Sequence, residues 1–153
     1  ILTNHAVNKN MITVFGCDQL RPNLHVDDYC DAVELLMNAP KEVIANQKFN
    51  VGYQNLSIIQ IAGLVKSVVE KEFPKKRDII IKKTKSDDNR SYHIDSSKIK
   101  NILGFVPKYT IEDAVKSICD YFQNKNIIDS FDNDIYYNVR RLKIIQAQRI
   151  KEM

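Results

Sequence analysis

The sequence predicts an α/β fold, and three observations carry that expectation. Apolar residues recur at helical spacing in successive stretches, and short β-branched runs stand between them. Cap and turn residues punctuate the boundaries, so helices alternate with strands rather than clustering apart. With 153 residues the chain makes one ordinary domain or part of a larger one.

Taken in order, residues 1–9 read as the end of a helix, and residues 12–15 alternate as a strand before the turn Gly16-Cys17-Asp18. Residues 21–26 form an extended segment, because Pro22 biases Arg21 away from helix. Asp27 stands where an N-cap belongs, with Asp28 and Asp31 favoured in the first turn by the helix dipole. Tyr29, Cys30, Val33, Leu36 and Met37 give that helix an apolar stripe, and it stops near Asn38-Ala39-Pro40. Residues 48–51 read as a brief strand ending at Gly52. Ser57-Ile58-Ile59-Gln60 is a capping box, opening a helix with Ile58, Ile61, Ala62, Val65, Val68 and Val69 inward and Pro74 beyond its end. Residues 78–82 read as a strand and 86–89 as a loop. Asp95 or Ser96 caps a short helix through Ile99, Ile102 and Leu103, which Gly104 stops. Thr110 caps the next, with Ala114, Val115, Ile118, Cys119 and Phe122 inward; from Asn124 the chain turns polar and then basic.

Composition narrows the class. Apolar residues at 44% and charged residues at 27% suit a soluble globular protein, and no apolar run is long enough to span a membrane. The first residues lack an initiator Met, a basic n-region and a small-residue cleavage site, so they read as the middle of a longer protein rather than a signal peptide. Cys17, Cys30 and Cys119 are widely spaced, and Cys30 and Cys119 fall on apolar helix faces, which predicts buried free thiols in a reducing cytoplasm. The net charge of +4 is read as a solvated surface.

Several chemistries are excluded by spacing. The four glycines stand too far apart for a dinucleotide fingerprint or a P-loop, the histidines and cysteines offer no metal-ligand spacing, and no serine sits in a nucleophile elbow. Tyr121 and Lys125 have the i, i+4 spacing of a proton-transfer pair, but at the end of a late helix they are read as coincidence.

Three segments remain. Arg21 presents a planar fork, suited to a diphosphate, at the start of an extended run. Asn50 places an amide at the carboxyl end of the expected strand, where open α/β sheets contact ligands. Asp88-Asn89-Arg90-Ser91-Tyr92 gathers a carboxylate, a guanidinium and a phenol that could hold a ribose hydroxyl, a phosphate and a sugar. Taken singly, each has a plainer reading: a surface salt bridge for either arginine, an Asx-turn for Asn50, and a half-buried core phenol for Tyr92.

In order and spacing together, these stretches resemble the extended short-chain dehydrogenases/reductases (SDRs) that act on nucleoside-diphosphate sugars. The match runs through Ile12-Thr13-Val14-Phe15-Gly16, Gln19-Leu20-Arg21-Pro22-Asn23-Leu24-His25-Val26-Asp27-Asp28, Phe49-Asn50-Val51-Gly52, Asp88 to Lys98, and Leu103-Gly104-Phe105-Val106-Pro107 with Thr110 to Ala114. The resemblance implies the carboxyl-terminal part of a Rossmann-type SDR: the last cofactor-domain strand and helix plus the small α/β substrate-binding lobe. It divides the chain into residues 1–123, the carboxyl-terminal half with that lobe, and residues 124–153, a polar and basic extension.

The same resemblance implies roles. The backbone of Thr13 and the ring of Phe15 would flank the base, Arg21 and Arg90 would clamp the diphosphate, Asp88 and Tyr92 would meet ribose or phosphate, and Asn50 would lie against the nucleotide. His25 and Asp27 would be structural. The family's NAD (or NADP) fingerprint and its Ser/Thr with Tyr-x-x-x-Lys would precede residue 1, so no catalytic, cofactor-binding or metal residue is expected here and the chain alone is expected to be inactive. The implied partners are a nucleoside-diphosphate sugar, the missing amino-terminal Rossmann half and, at full length, a second copy in a cytoplasmic homodimer, with no membrane or nucleic acid. Two further readings stay open: a non-catalytic nucleotide-sugar binding module, and a basic nucleic-acid-associated domain.

Overall fold

The computed structural model describes residues 1–88, 90–124, 127 and 129–151. The chain divides into two compact units, Ile1–Cys119 and Asp120–Met153.

The first unit opens with α1 (Leu2–Lys9), which ends at Asn10 in the left-handed conformation and leads at once into β1 (Met11–Phe15). Alternation works as expected here: Ile12 and Val14 are buried while Met11, Thr13 and Phe15 face the other way, with Phe15 54% exposed. β1 pairs in parallel with β4 (Ile80–Thr84), Thr13 opposite Lys82 and Phe15 opposite Thr84. The expected strand at 78–82 therefore begins two residues later. The main chain just before β4 is held from α4 (Ile58–Glu72): Lys66 Nζ donates to the Ile79 carbonyl at 2.7 Å, and the Ile79 N–H donates to Glu70 Oε1 at 2.8 Å. An i, i+4 ion pair of the helix thus satisfies both sides of a residue whose side chain is buried.

β2 (Leu20–Asn23) pairs antiparallel with β3 (Gln54–Ser57), from Leu20 opposite Ser57 to Asn23 opposite Gln54. The expected strand at residues 48–51 does not form; those residues belong to no strand or helix, and the strand lies at β3 instead. Phe49 and Val51 favour a strand, but a strand needs a neighbouring edge, and residues 54–57 are the ones that pair with β2. Ser57 then closes the expected capping box with Gln60 and opens α4, whose Ala62, Val65 and Val69 are buried.

Three expectations about α2 (Val26–Asn38) are corrected. Its N-cap is His25 and not Asp27: His25 Nδ1 accepts from the Asp27 N–H at 3.2 Å. Its buried face is Asp28 and Ala32, with Leu35 and Leu36 half-buried, while Tyr29, Val33 and Met37 of the expected stripe are exposed. The helix is apolar on two sides, and the side chosen is the one meeting Ile99, Phe105, Phe49, Val51 and Leu103. Cys30 is consequently exposed, while Cys119 is buried as expected.

Asp28 is fully buried, and its two carboxylate oxygens accept from the backbone N–H groups of Lys108 (2.8 Å) and Tyr109 (3.0 Å). Lys108 also reaches Asp31 at 2.7 Å. These bonds fasten the segment after α5 (Ser97–Leu103) to the first turn of α2. α5 has Ser96 at its N-cap without a side-chain cap bond; Asp95 Oδ1, one residue earlier, accepts the Ser97 N–H at 2.8 Å, and the helix stops at Gly104 with φ 71°. α6 (Ile111–Asn124) begins at a reciprocal cap between Thr110 and Asp113 and buries Val115 and Cys119.

In the second unit, a short 3-10 turn (Asp134–Tyr136) precedes α7 (Asn138–Lys151), a largely exposed helix carrying the basic residues. No helix among the described residues is long and apolar enough to cross a membrane.

Candidate functional site

The loop from 86 to 96 lies along the β2–β3 ribbon although it forms no strand. The Leu20 N–H donates to Ser91 Oγ (2.9 Å) and the Tyr92 N–H to the Leu20 carbonyl (3.0 Å). Further on, the Asn55 amide both donates to the Ile94 carbonyl (3.0 Å) and accepts from its N–H (3.1 Å). The Gly52 N–H ends the series on Ser96 Oγ at 2.9 Å. The side chains of Asn55, Ser91 and Ser96, with one backbone bond at Leu20, do what a third strand would do, which fixes the loop without requiring a β pattern in its sequence. Gly52 packs closely here: a Cβ would strike the side chain of Ile94, which would have to move.

This zipper brings together four of the seven residues expected from sequence. Arg90 forks onto Asp88, Nε to Oδ1 and Nη2 to Oδ2, both at 2.8 Å. The Arg21 guanidinium donates from Nη1 to the carbonyls of Leu20 (2.9 Å) and Arg90 (2.8 Å), and from Nη2 to Gln19 Oε1 (2.7 Å). Its carbon lies 5.5 Å from the centre of the Tyr92 ring. Phe15 ends β1 one residue before Gly16, whose φ of 63° turns the chain so that the Gln19 side chain packs on it.

Thr13 and Asn50 stand apart. Thr13 is half-buried inside β1, and Asn50 is exposed in the segment before Gly52, with no hydrogen bond to any described residue of the cluster. Gly52 and His93 line one open cleft of about 400 Å³ with Tyr53, Asn55 and Lys100, so the Asn50 segment and the Tyr92 loop border the same space. Lys125 lies outside the described residues, as does Asn89. A second cavity, about 220 Å³ and lined by Leu2, His25, Tyr53, Val65, Tyr109 and Val115, shares no residue with the arginine cluster.

The two arginines differ electrostatically. Hydrogen bonds from the Arg90 side chain, then from its backbone N–H, hold the Asp88 carboxyl far below the usual range, and the same pairing raises Arg90. Arg90 is therefore neutralised in place. Among the described residues no carboxylate lies within ion-pair distance of Arg21, which is held by neutral oxygens alone. Three N–H groups are engaged of the five a guanidinium carries, leaving a full charge and two donors for an anion.

Gln19 and Ser91 were not among the expected site residues. Both lie inside the stretches that carry the family resemblance, but only the folded loop shows that they bind the two halves of the cluster to each other.

Residues 1–118 match the family model described as GDP-mannose 4,6 dehydratase. A dTDP-glucose 4,6-dehydratase of Shigella flexneri is 25% identical over 139 residues, covering 86% of this chain and 38% of that protein. Among solved structures, a UDP-glucose 4-epimerase of Thermotoga maritima with UDP-glucose superposes with a TM-score of 0.64 at 23% identity over 82% of this chain and 39% of that one. A dTDP-glucose 4,6-dehydratase of Bacillus anthracis in complex with NAD gives 0.61 at 21% identity, over 82% and 39%. The chain thus spans about two-fifths of the length of the relatives it matches. The chain belongs to the GDP-mannose 4,6 dehydratase family, within the extended SDR epimerases and dehydratases.

Proposed function

We propose that this chain is the part of such an enzyme that binds the nucleoside-diphosphate sugar. The observation that carries the reading is Arg21: a guanidinium held by three oxygens, unpaired with any described carboxylate, with the half-exposed ring of Tyr92 5.5 Å away. A diphosphate needs such a fork, and a base and ribose need the aromatic and polar surfaces beside it. Binding is assigned to residues 1–123, with Asp88, Arg90 and Asn50 completing the contacts and residues 124–153 as an extension.

The residues present do not suit NAD. Gly16 sits in a turn against Gln19, Gly52 against Ile94, Gly63 within α4, and Gly104 at the end of α5, so no glycine-rich turn meets a helix N-terminus. Hydride transfer and the proton-transfer pair accordingly fall to other parts of the enzyme, and this chain alone positions substrate without reacting it.

Calorimetric titration of UDP-, dTDP-, GDP- and CDP-sugars into the chain tests the reading. Saturable binding of at least one is expected, weakened about tenfold or more by Arg21→Ala, the loss appropriate to a charge-assisted hydrogen bond. Absence of saturable binding by all four would remove the proposal.

A further inference from the structure

Gln19, one residue before β2, bonds through its side chain both to Arg21 of that strand and to the main chain of Asp88 in the loop. Its Oε1 accepts from Arg21 Nη2 at 2.7 Å, and its Nε2 donates to the main-chain carbonyl of Asp88. Arg21 in turn donates to the Arg90 carbonyl, and the Arg90 side chain returns to the Asp88 carboxylate. The four residues form a closed ring of hydrogen bonds in which the Gln19 amide is the only neutral side chain.

A planar amide suits this position for two reasons. It offers an acceptor to Arg21 and a donor to a carbonyl at once, which neither a carboxylate nor a hydrocarbon can do. It also orients the guanidinium without neutralising it, whereas a carboxylate would compete with any anion for the same N–H groups. Gly16 makes room: with its φ of 63° and no Cβ, the Gln19 amide lies directly against its backbone.

We infer that Gln19 is a positioning residue, aiming the Arg21 fork at the diphosphate while keeping its charge unspent. This inference rests on the binding function proposed above and adds the residue on which the clamp's affinity depends. The Asp88–Arg90 pair belongs to the same device, since Arg90 engages both oxygens of a loop carboxylate whose charge Arg21 also feels.

Titration of UDP and dTDP into the wild type, Gln19→Met and Gln19→Glu, with melting curves for each, tests the inference. The methionine keeps bulk and removes both hydrogen bonds; the glutamate keeps the acceptor and adds a charge. The expected result is a loss of about tenfold for Gln19→Met and a larger loss for Gln19→Glu, at similar melting temperatures. The glutamate variant should recover affinity only as pH falls below the ordinary carboxylate range of about 4, because the adjacent guanidinium lowers this carboxyl and its protonation releases Arg21. A purely structural Gln19 predicts instead that affinity follows melting temperature and that the glutamate variant shows no such recovery; either outcome overturns the inference. If Gln19→Met and Gln19→Glu bind like the wild type while Arg21→Ala does not, the inference falls and the binding function stands. If the wild type binds neither diphosphate, both fall.

Discussion

Arg21 donates through Nη1 to the main-chain oxygen of Arg90 at 2.8 Å, across 69 residues of chain. The donor is on strand β2 and the acceptor in the loop before α5, so the bond exists only when the loop is zipped onto the β2–β3 ribbon. Anion binding and loop order are therefore expected to be coupled: a ligand that uses the remaining Arg21 donors meets a guanidinium already aimed.

The two arginines should separate on mutation. Arg21→Ala removes the free charge and is expected to weaken nucleoside-diphosphate binding by about tenfold or more. Arg90→Ala removes a charge that Asp88 already neutralises and leaves that carboxylate beside Arg21, with its backbone carbonyl still in place. A smaller loss is expected for Arg90→Ala in low salt, growing relatively weaker as salt screens the released carboxylate. Calorimetric titration at two ionic strengths checks this, and equal losses for the two variants would contradict the assignment.

Asp28 should matter for stability and not directly for ligand. It is buried and receives the Lys108 and Tyr109 N–H groups. Asp28→Ala strands both donors and is expected to cost about 2–4 kcal/mol, since each unsatisfied buried group carries a penalty of about 1–3 kcal/mol. Urea unfolding, read as a fall in midpoint at unchanged slope, measures it.

Much of this fold was legible in the sequence, and the misreadings share one cause. The capping box at Ser57 and Gln60 and the stop at Gly104 are local devices, complete within a few residues, and both stand where expected. Asp28 looks in sequence like any first-turn acid, because its partners are 80 and 81 residues away. The α2 stripe was out of phase because Tyr29, Val33 and Met37 recur as regularly as Ala32, Leu35 and Leu36; period alone selects a helix and not which of two apolar sides is covered. Residues 48–51 carry two strand-forming side chains, Phe49 and Val51, without a partner strand. In the site, Arg21, Asp88, Arg90 and Tyr92 were legible as residue types that suit an anion. Gln19 was not, since an amide in a turn shows no function until the Asp88 carbonyl is placed above it.

The core around Ile99 gives a second stability test. Ile99 is buried together with Ala32 and Phe105, against Leu35, Leu36 and Phe49. Ile99→Ala is expected to lose about 2–5 kcal/mol, the range for truncating a buried aliphatic side chain. Thermal or urea unfolding would show it, and a loss below about 1 kcal/mol would mean that this cluster is not packed as described.

Acid should weaken the fold only at low pH. Bonds from the Thr110 N–H and hydroxyl lower Asp113, the Ser97 hydroxyl and N–H lower Asp95, and the Ile79 N–H lowers Glu70. Each is lowered in the fold relative to the unfolded chain, so its contribution is complete above the ordinary carboxylate range of about 3.9–4.3 and is lost as pH falls through the lower folded values. The melting temperature attributable to these groups should hold from pH 7 to about 5 and fall below about 4, with Asp113→Asn reducing the slope. A melting temperature that rises on acidification through that range would contradict the pairings.

The central claim is that the β2–loop cluster binds a nucleoside diphosphate, and a heteronuclear NMR titration of UDP into the labelled chain tests it most directly. The account predicts saturable shifts in the Arg21 side-chain Nε–H signal and in the backbone signals of Gln19 to Arg21 and Arg90 to Tyr92, absent in Arg21→Ala. No saturable shifts, or shifts confined to the basic residues of α7, would contradict it.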